Sequence, residues 1–223
     1  STDEDTFFFI FKKPWTTKFQ SGDLLAIYPA NDSRERLYSI GKHDGKLQLV
    51  VKLHEYGLGS GYLNQLEIGA KIKARVITNT AFHFPKQATK VALISNGTGI
   101  APFLGMIQES TPKTETHLYC GFRTETKSVA SYTKLAQEMM DQQRLQSFNL
   151  ALSRIPNGCR VTDLIERDAA FFKALLNENG VIMICGYLAM QKDVEKVLET
   201  LLEESNTSVS DYKAKGQILT DCY

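Results

Sequence analysis

The sequence predicts two domains: a small antiparallel β-barrel over residues 1–86, then an α/β domain with a doubly wound parallel sheet over 87–223. Three observations predict this. Short strand-like runs separated by Gly-containing turns fill residues 6 to 78, the rhythm of a small barrel. Val91–Ser95 and Val181–Cys185 are unbroken apolar runs, as in parallel strands covered on both faces. From Lys90 onward strand and helix patterns alternate.

In the first half, Thr6–Phe11 is a dense aromatic strand. Ser21-Gly22-Asp23 is a turn, and Leu24–Tyr28 is a strand stopped by Pro29. Leu37–Ile40 leads through His43-Asp44-Gly45 into a strand over Leu47–Leu53. A helix is expected at Tyr62–Leu66, and Lys71–Val76 alternates as a half-buried strand should. The seam lies near Phe84-Pro85-Lys86-Gln87. In the second half, strands are expected at Val91–Ser95, His117–Cys120, Phe148–Leu152 and Val181–Cys185. Helices are expected over Ala101–Gln108, Ser131–Met140, Thr162–Leu176 with Thr162 as N-cap, and Met190–Leu202. Lys215–Tyr223 closes the sequence as a strand-like run ending on an aromatic ring.

Composition narrows the functional classes. The 223 residues are 43% hydrophobic, enough for packed cores. Lys and Arg number 26 against 25 Asp and Glu, so no global field argues for nucleic acid or a membrane surface. No stretch of about 18 apolar residues could span a bilayer. The start, Ser1-Thr2-Asp3-Glu4-Asp5, is too acidic for a secretory signal, and the missing initiator Met suggests processing or a piece of a longer protein. Cys120, Cys159, Cys185 and Cys222 show no C-x-x-C spacing and no histidine at a ligand offset. No metal site is expected, and the thiols suit a reducing, cytoplasmic compartment. His43, His54, His83 and His117 are scattered and read as structural or exposed.

Gly97-Thr98-Gly99 stands between a predicted buried strand and a predicted helix. Glycines there let backbone N–H groups approach a pyrophosphate, and the helix N-terminus adds a favourable dipole. Pro102 replaces the third glycine of G-x-G-x-x-G and suits a first helical turn. The next strand ends at Gly121-Phe122-Arg123 with no acidic residue to grip a ribose. Ser153-Arg154 ends the third strand, and Arg160 follows in the same loop. Each arginine alone could be solvated surface; as a cluster with a hydroxyl they suit a 2′-phosphate, hence NADPH over NADH.

Three further motifs complete a resemblance: Arg36-Leu37-Tyr38-Ser39; Gly57-Leu58-Gly59-Ser60-Gly61-Tyr62-Leu63; and Cys185-Gly186 followed by Met190, Asp193 and Val194. With the Lys215–Tyr223 tail, the chain from about Thr6 onward resembles the ferredoxin–NADP reductase superfamily, in its diflavin-reductase branch. That branch includes the flavoprotein of sulfite reductase and the NADPH–cytochrome reductases. The resemblance implies an FAD-binding barrel and an NADP(H)-binding α/β domain. It implies that Arg36 binds the FAD pyrophosphate, that Tyr38 packs on the isoalloxazine and ribityl, and that Ser39 approaches the flavin N5. Gly57, Leu58, Gly59 and Ser60 would present N–H groups to the pyrophosphate, with Tyr56 near the adenine. Cys185 would lie beside the nicotinamide, and Asp221 would join Ser39 and Cys185 around the hydride path. Tyr223 would cover the flavin until nicotinamide displaces it.

The chain departs from the branch in three ways. Thr162 stands where a tyrosine often follows the phosphate-binding arginine. Tyr28-Pro29-Ala30-Asn31-Asp32 runs almost directly to Arg36, without the connecting insert. No FMN-binding domain is included. The implied function is transfer of hydride from NADPH to FAD, then of single electrons to a redox-protein, haem or FMN-domain acceptor. Three alternatives stay open: a ferredoxin or flavodoxin reductase complete in itself; the input end of a larger diflavin or membrane-anchored chain with a ferric, haem or sulfite acceptor; and a non-catalytic nucleotide-binding module.

Overall fold

A computed structural model describes residues 6–14, 16–29, 32–203 and 207–223. The acidic start Ser1–Asp5, and Ala30 and Asn31 of the short connection, lie outside the described residues. The chain divides into two compact units, Ser1–Phe84 with Ala101–Glu109, and Pro85–Ile100 with Ser110–Tyr223.

The first unit holds β1 (Thr6–Phe11), β2 (Leu24–Ile27), β3 (Arg36–Ser39), β4 (Gly41–His43), β5 (Lys46–Lys52), α1 (Leu58–Asn64) and β6 (Ala74–Ile77). These strands form two antiparallel sheets, β1-β5-β4 and β3-β2-β6. The antiparallel character matches the expectation; among the described residues no strand ladder closes the two sheets into a barrel. The chain changes sheet at Ile40, whose N–H donates to the Asp23 carbonyl while its carbonyl accepts from Gly22. Strands that switch sheets in this way make the corners of such folds. β4 and β5 meet at Asp44-Gly45, both at positive φ (48° and 73°), which a two-residue hairpin of matching twist requires. Leu25, Ile27, Ile40, Leu47, Leu49, Val51 and Leu63 build the core. The strand expected over Lys71–Val76 is confined to Ala74–Ile77, because β2 offers only four partners.

Helix α2 (Ile100–Glu109) belongs, from Ala101, to this first unit, although the sequence reading counted it with the second. A Cβ on Gly41 would strike the Ala101 carbonyl, and one on Gly105 would strike the Lys42 amide. Two glycines thus let helix and strand backbones touch. Glu109 then accepts hydrogen bonds from Ser21 Oγ (2.9 Å) and Lys42 Nζ (2.8 Å).

The second unit contains β7 (Lys90–Asn96), β8 (Glu115–Phe122), α3 (Lys127–Asp141), β9 (Ser147–Leu152), α4 (Val161–Arg167), α5 (Ala169–Asn177), β10 (Val181–Gly186), α6 (Leu188–Leu202), α7 (Val209–Ala214) and β11 (Ile218–Cys222). Its sheet is parallel throughout, in the order β11-β10-β7-β8-β9. Counted from β7 this is 3-2-1-4-5, so the chain reverses direction across the sheet between β7 and β10. Ala92, Ile94, Ile182, Ile184 and Ile218 point into the core shared with α4 to α7. The alternate residues Val91, Leu93, Met183 and Cys185 are buried too, which explains the unbroken apolar runs.

Two helix expectations are corrected. The helix expected over Thr162–Leu176 is two helices, broken at Asp168, whose carboxylate is held by Arg167 (2.7 and 2.8 Å) and by the Tyr119 hydroxyl (3.0 Å). Its N-cap is Arg160, not Thr162, because Asp163 Oδ2 accepts the Arg160 N–H at 2.7 Å and starts the helix earlier. Helix α7, capped by Ser208, had no counterpart in the sequence reading.

Candidate functional site

In the first unit, Arg36 and Tyr38 alternate with Leu37 and Ser39 along β3, so each pair shares a face. Leu37 is 52% exposed. Arg36 Nη2 donates to Asp32 Oδ2 at 2.8 Å, and Nη1 donates to the carbonyls of Arg34 (3.1 Å) and Glu35 (3.4 Å). The Asp32 carboxyl is held below its ordinary range, first by the Arg34 backbone N–H and also by the Arg36 guanidinium. Burial pushes the Tyr38 hydroxyl up, with Arg36 opposing.

Gly59 joins the two flavin-type motifs. A Cβ there would lie 2.5 Å from the Tyr38 hydroxyl and 2.9 Å from Arg36 Cγ. Helix α1 begins at Leu58 rather than Tyr62, with Gly57 as N-cap. Ser60 Oγ fixes that start, accepting the His54 N–H (3.1 Å) and donating to the Gly57 carbonyl (3.3 Å). Leu58 is exposed and Tyr56 is 90% exposed, free to meet a flat ligand face. The donor set suits a diphosphate: one nitrogen of the Arg36 guanidinium already holds an anion, the Asp32 carboxylate.

In the second unit, the carboxyl ends of β7 and β10 flank the topological switch point, where open α/β sheets bind ligands. Gly97–Gly99 forms one 3-10 turn directly after β7. Gly97 takes φ +54°, and a Cβ there would meet only Tyr187, at 3.6 Å. Gly99 lies against β10, where a Cβ would sit 2.5 Å from the Cys185 carbonyl carbon. Pro102 is buried in the first turn of α2, as expected of a residue lacking an N–H.

Cys185 is fully buried and pairs in register with Ser95 of β7 and Asp221 of β11, so all three share one face of the sheet. Tyr223 follows on that face. Its N–H donates to the Gly186 carbonyl and its own carbonyl accepts from the Leu188 N–H, both at 3.0 Å. Its hydroxyl lies 2.5 Å from Thr98 Oγ1.

One and two strands beyond β7, the loops after β8 and β9 lie side by side. The Arg154 N–H donates to the Arg123 carbonyl (2.7 Å), and the Ser153 N–H to that of Phe122 (2.9 Å). Arg123, Ser153, Arg154 and Arg160 are exposed, and among the described residues none of the three guanidiniums has an acidic partner. Exposed guanidiniums without acidic partners, in neighbouring loops, suit a phosphate dianion. Asp193 lies exposed along α6 and, among the described residues, makes no hydrogen bond or ion pair with these groups.

Three residues went unread in the sequence. Asp32 was noted only as part of a short connection. Tyr187, the N-cap of α6, lies edge-on to Tyr223 with centroids 5.9 Å apart. Asn96 Oδ1 accepts the Tyr187 N–H at 2.9 Å. The available signal was position: Asn96 precedes Gly97 and Tyr187 follows Gly186.

The family described as "Oxidoreductase NAD-binding domain" matches residues 93–196. A nitric oxide synthase of Anopheles stephensi is 32% identical over 212 residues, covering 82% of this chain and 17% of that protein. The sulfite reductase [NADPH] flavoprotein alpha-component of Buchnera aphidicola is 29% identical over 215 residues, 84% of this chain and 36% of its own length. The NADPH–cytochrome P450 reductase of Rattus norvegicus is 28% identical over 213 residues, 81% and 31% respectively. The chain therefore spans between about a sixth and just over a third of these relatives. The likeness is at superfamily level, to FAD- and NADP-binding oxidoreductases. No helix among the described residues is long and apolar enough to cross a membrane.

Proposed function

We propose that this chain is the NADPH- and FAD-binding part of a flavoprotein reductase, oxidising NADPH and delivering electrons to a separate redox-protein, haem or FMN-domain acceptor. One observation carries the reading: Gly97–Gly99, Cys185 and Asp221 gather at the carboxyl edge of the parallel sheet, and the three guanidiniums after β8 and β9 have no acidic partner among the described residues. FAD, when bound, accepts hydride and releases electrons singly.

The chain's own residues bind and orient. Arg36 exchanges the Asp32 carboxylate for the flavin pyrophosphate, with Gly57, Leu58, Gly59 and Ser60 completing the cradle. Tyr38 supplies a flat face, Tyr56 meets the adenine, and Ser39 offers its hydroxyl near the flavin N5. The backbone of the Gly97-Thr98-Gly99 turn admits the nicotinamide nucleotide's diphosphate. Arg123, Ser153, Arg154 and Arg160 take the 2′-phosphate. Cys185 and Asp221 flank the nicotinamide, and Tyr223 yields to it. Four free cysteines support a reducing, cytoplasmic setting.

The test is reconstitution. The purified chain incubated with FAD should turn yellow, retain the flavin through gel filtration, and reduce ferricyanide with NADPH in preference to NADH. Removing Tyr223 should tighten nicotinamide binding and narrow that preference, whereas Arg154→Ala should raise the KM for NADPH and leave that for NADH unchanged. A colourless chain with no affinity for FAD overturns the proposal.

A further inference from the structure

The ring of Tyr223 is held by few contacts, each of which can be named. Its backbone is fixed on both sides, to Gly186 and Leu188, so only the side chain is free to swing. The hydroxyl meets Thr98 Oγ1 in the turn after β7. The ring edge meets Tyr187, which is anchored in turn by its N–H on Asn96 Oδ1. That anchor is itself rigid: Gly186 takes φ +141°, and a Cβ there would collide with the Asn96 side chain. Yet Tyr223 remains 60% exposed and Tyr187 37% exposed, so no packed core holds either ring. A side chain held by one hydrogen bond and one ring edge, on a fixed backbone, is held weakly.

We infer that the Thr98 hydroxyl latches Tyr223 over the carboxyl ends of β7 and β10, and that Thr98 thereby sets how readily nicotinamide displaces the ring. This rests on the function proposed above. Thr98 is a positioning residue here: it acts through the Tyr223 hydroxyl. Tyr187 is the backstop on the other side of the ring. Loss of the hydrogen bond frees the ring and removes a competitor for the nicotinamide half of the nucleotide. The adenosine half, bound beyond β8 and β9, is unaffected.

Isothermal titration calorimetry of the full FAD-loaded chain tests this with two probes, NADP+ and adenosine 2′,5′-bisphosphate, which lacks the nicotinamide. Thr98→Val and Tyr223→Phe should each lower the Kd for NADP+ by about two- to tenfold, the worth of one net hydrogen bond. Neither should move the Kd for adenosine 2′,5′-bisphosphate. Thr98→Ser, which keeps the hydroxyl, should behave as wild type. The double variant should bind no tighter than either single one, because both remove the same bond. Additive effects overturn the latch. So does an unmoved NADP+ Kd in Tyr223→Phe, or weaker NADP+ binding in Thr98→Val alone, which would make Thr98 a direct nucleotide contact. A wild type that binds neither probe overturns the proposed function as well; a wild type that binds both while the variants match it overturns the latch only.

Discussion

Alanine at position 99 would test whether the turn after β7 is set by backbone contact with β10. A methyl group there would lie 2.5 Å from the Cys185 carbonyl carbon and 2.7 Å from Gly186 Cα, and nearer still to the Cys185 oxygen. Carbon atoms rest about 3.5–4.0 Å apart, so turn and strand must separate by about 1 Å. Every atom met is main chain, inside a sheet paired on both sides, so no side-chain rotation relieves the clash. Overpacking of this kind costs about 1–3 kcal/mol, and rigid surroundings favour the upper end. At about 2–4 °C per kcal/mol for a chain of this size, Gly99→Ala should lower the Tm by about 6–12 °C. It should also weaken NADP+ binding, since the displaced turn is the one proposed to admit the nucleotide's diphosphate. Two comparisons separate contact from conformation. Gly97→Ala meets only the Tyr187 ring, at an ordinary contact distance of 3.6 Å, but must hold φ +54°, at about 1–2 kcal/mol. Gly61→Ala, with nothing within 4 Å and inside α1, should be neutral or slightly stabilising. Differential scanning fluorimetry gives the order. A Gly99→Ala protein that melts with wild type, or a Gly97→Ala protein that melts lower than it, refutes the contact argument.

Gly59→Ala meets side-chain atoms only, Tyr38 Oη and Arg36 Cγ and Cβ, so its Tm should fall by less than that of Gly99→Ala while FAD retention on gel filtration drops several-fold; the reverse pattern would deny Gly59 a place in the proposed flavin cradle. Asp168 should contribute to acid stability. Its carboxyl is held below the usual range, first by the Arg167 hydrogen bonds and also by Tyr119, so its stabilisation is present above the unfolded-state pKa and lost as pH falls through the depressed folded value. Urea midpoints measured from neutral pH to about pH 2 should therefore decline less steeply in Asp168→Asn than in wild type, and parallel curves would contradict this. Cys222 faces the helix layer, and burial pushes its thiol up to about 11, so iodoacetamide should label it slowly at neutral pH and faster only toward that value. Mass spectrometry showing labelling as fast as in the unfolded chain would exclude the sheltered position.

Local patterns carried much of the molecule. The apolar runs at Val91–Ser95 and Val181–Cys185 identify central parallel strands because both faces of such strands are buried, which leaves no polar alternation to confuse them. Asp44-Gly45 identifies its hairpin because few dipeptides tolerate two positive φ angles in succession. The placement of the glycine turn after β7 and of the arginines after β8 and β9 was likewise legible, since the strand ends follow from the apolar runs.

Other features had no local signature. The helix over Thr162–Leu176 reads as continuous, and only Tyr119, contributed by a strand far away in sequence, shows why it breaks at Asp168. The grouping of α2 with the first unit depends on Gly41 meeting Ala101 and Gly105 meeting Lys42, contacts between residues some sixty positions apart. Asp32 as the partner of Arg36, and Tyr187 beside Tyr223, belong to the same class. The amino-acid order by itself determined the strand and helix types, the parallel sheet and the residue chemistry at its carboxyl edge, because these follow from periodicity and from the conformations each residue allows. Only the tertiary structure decided which backbones touch and which side chain holds which, because close approach is a property of two distant segments at once and neither records it alone.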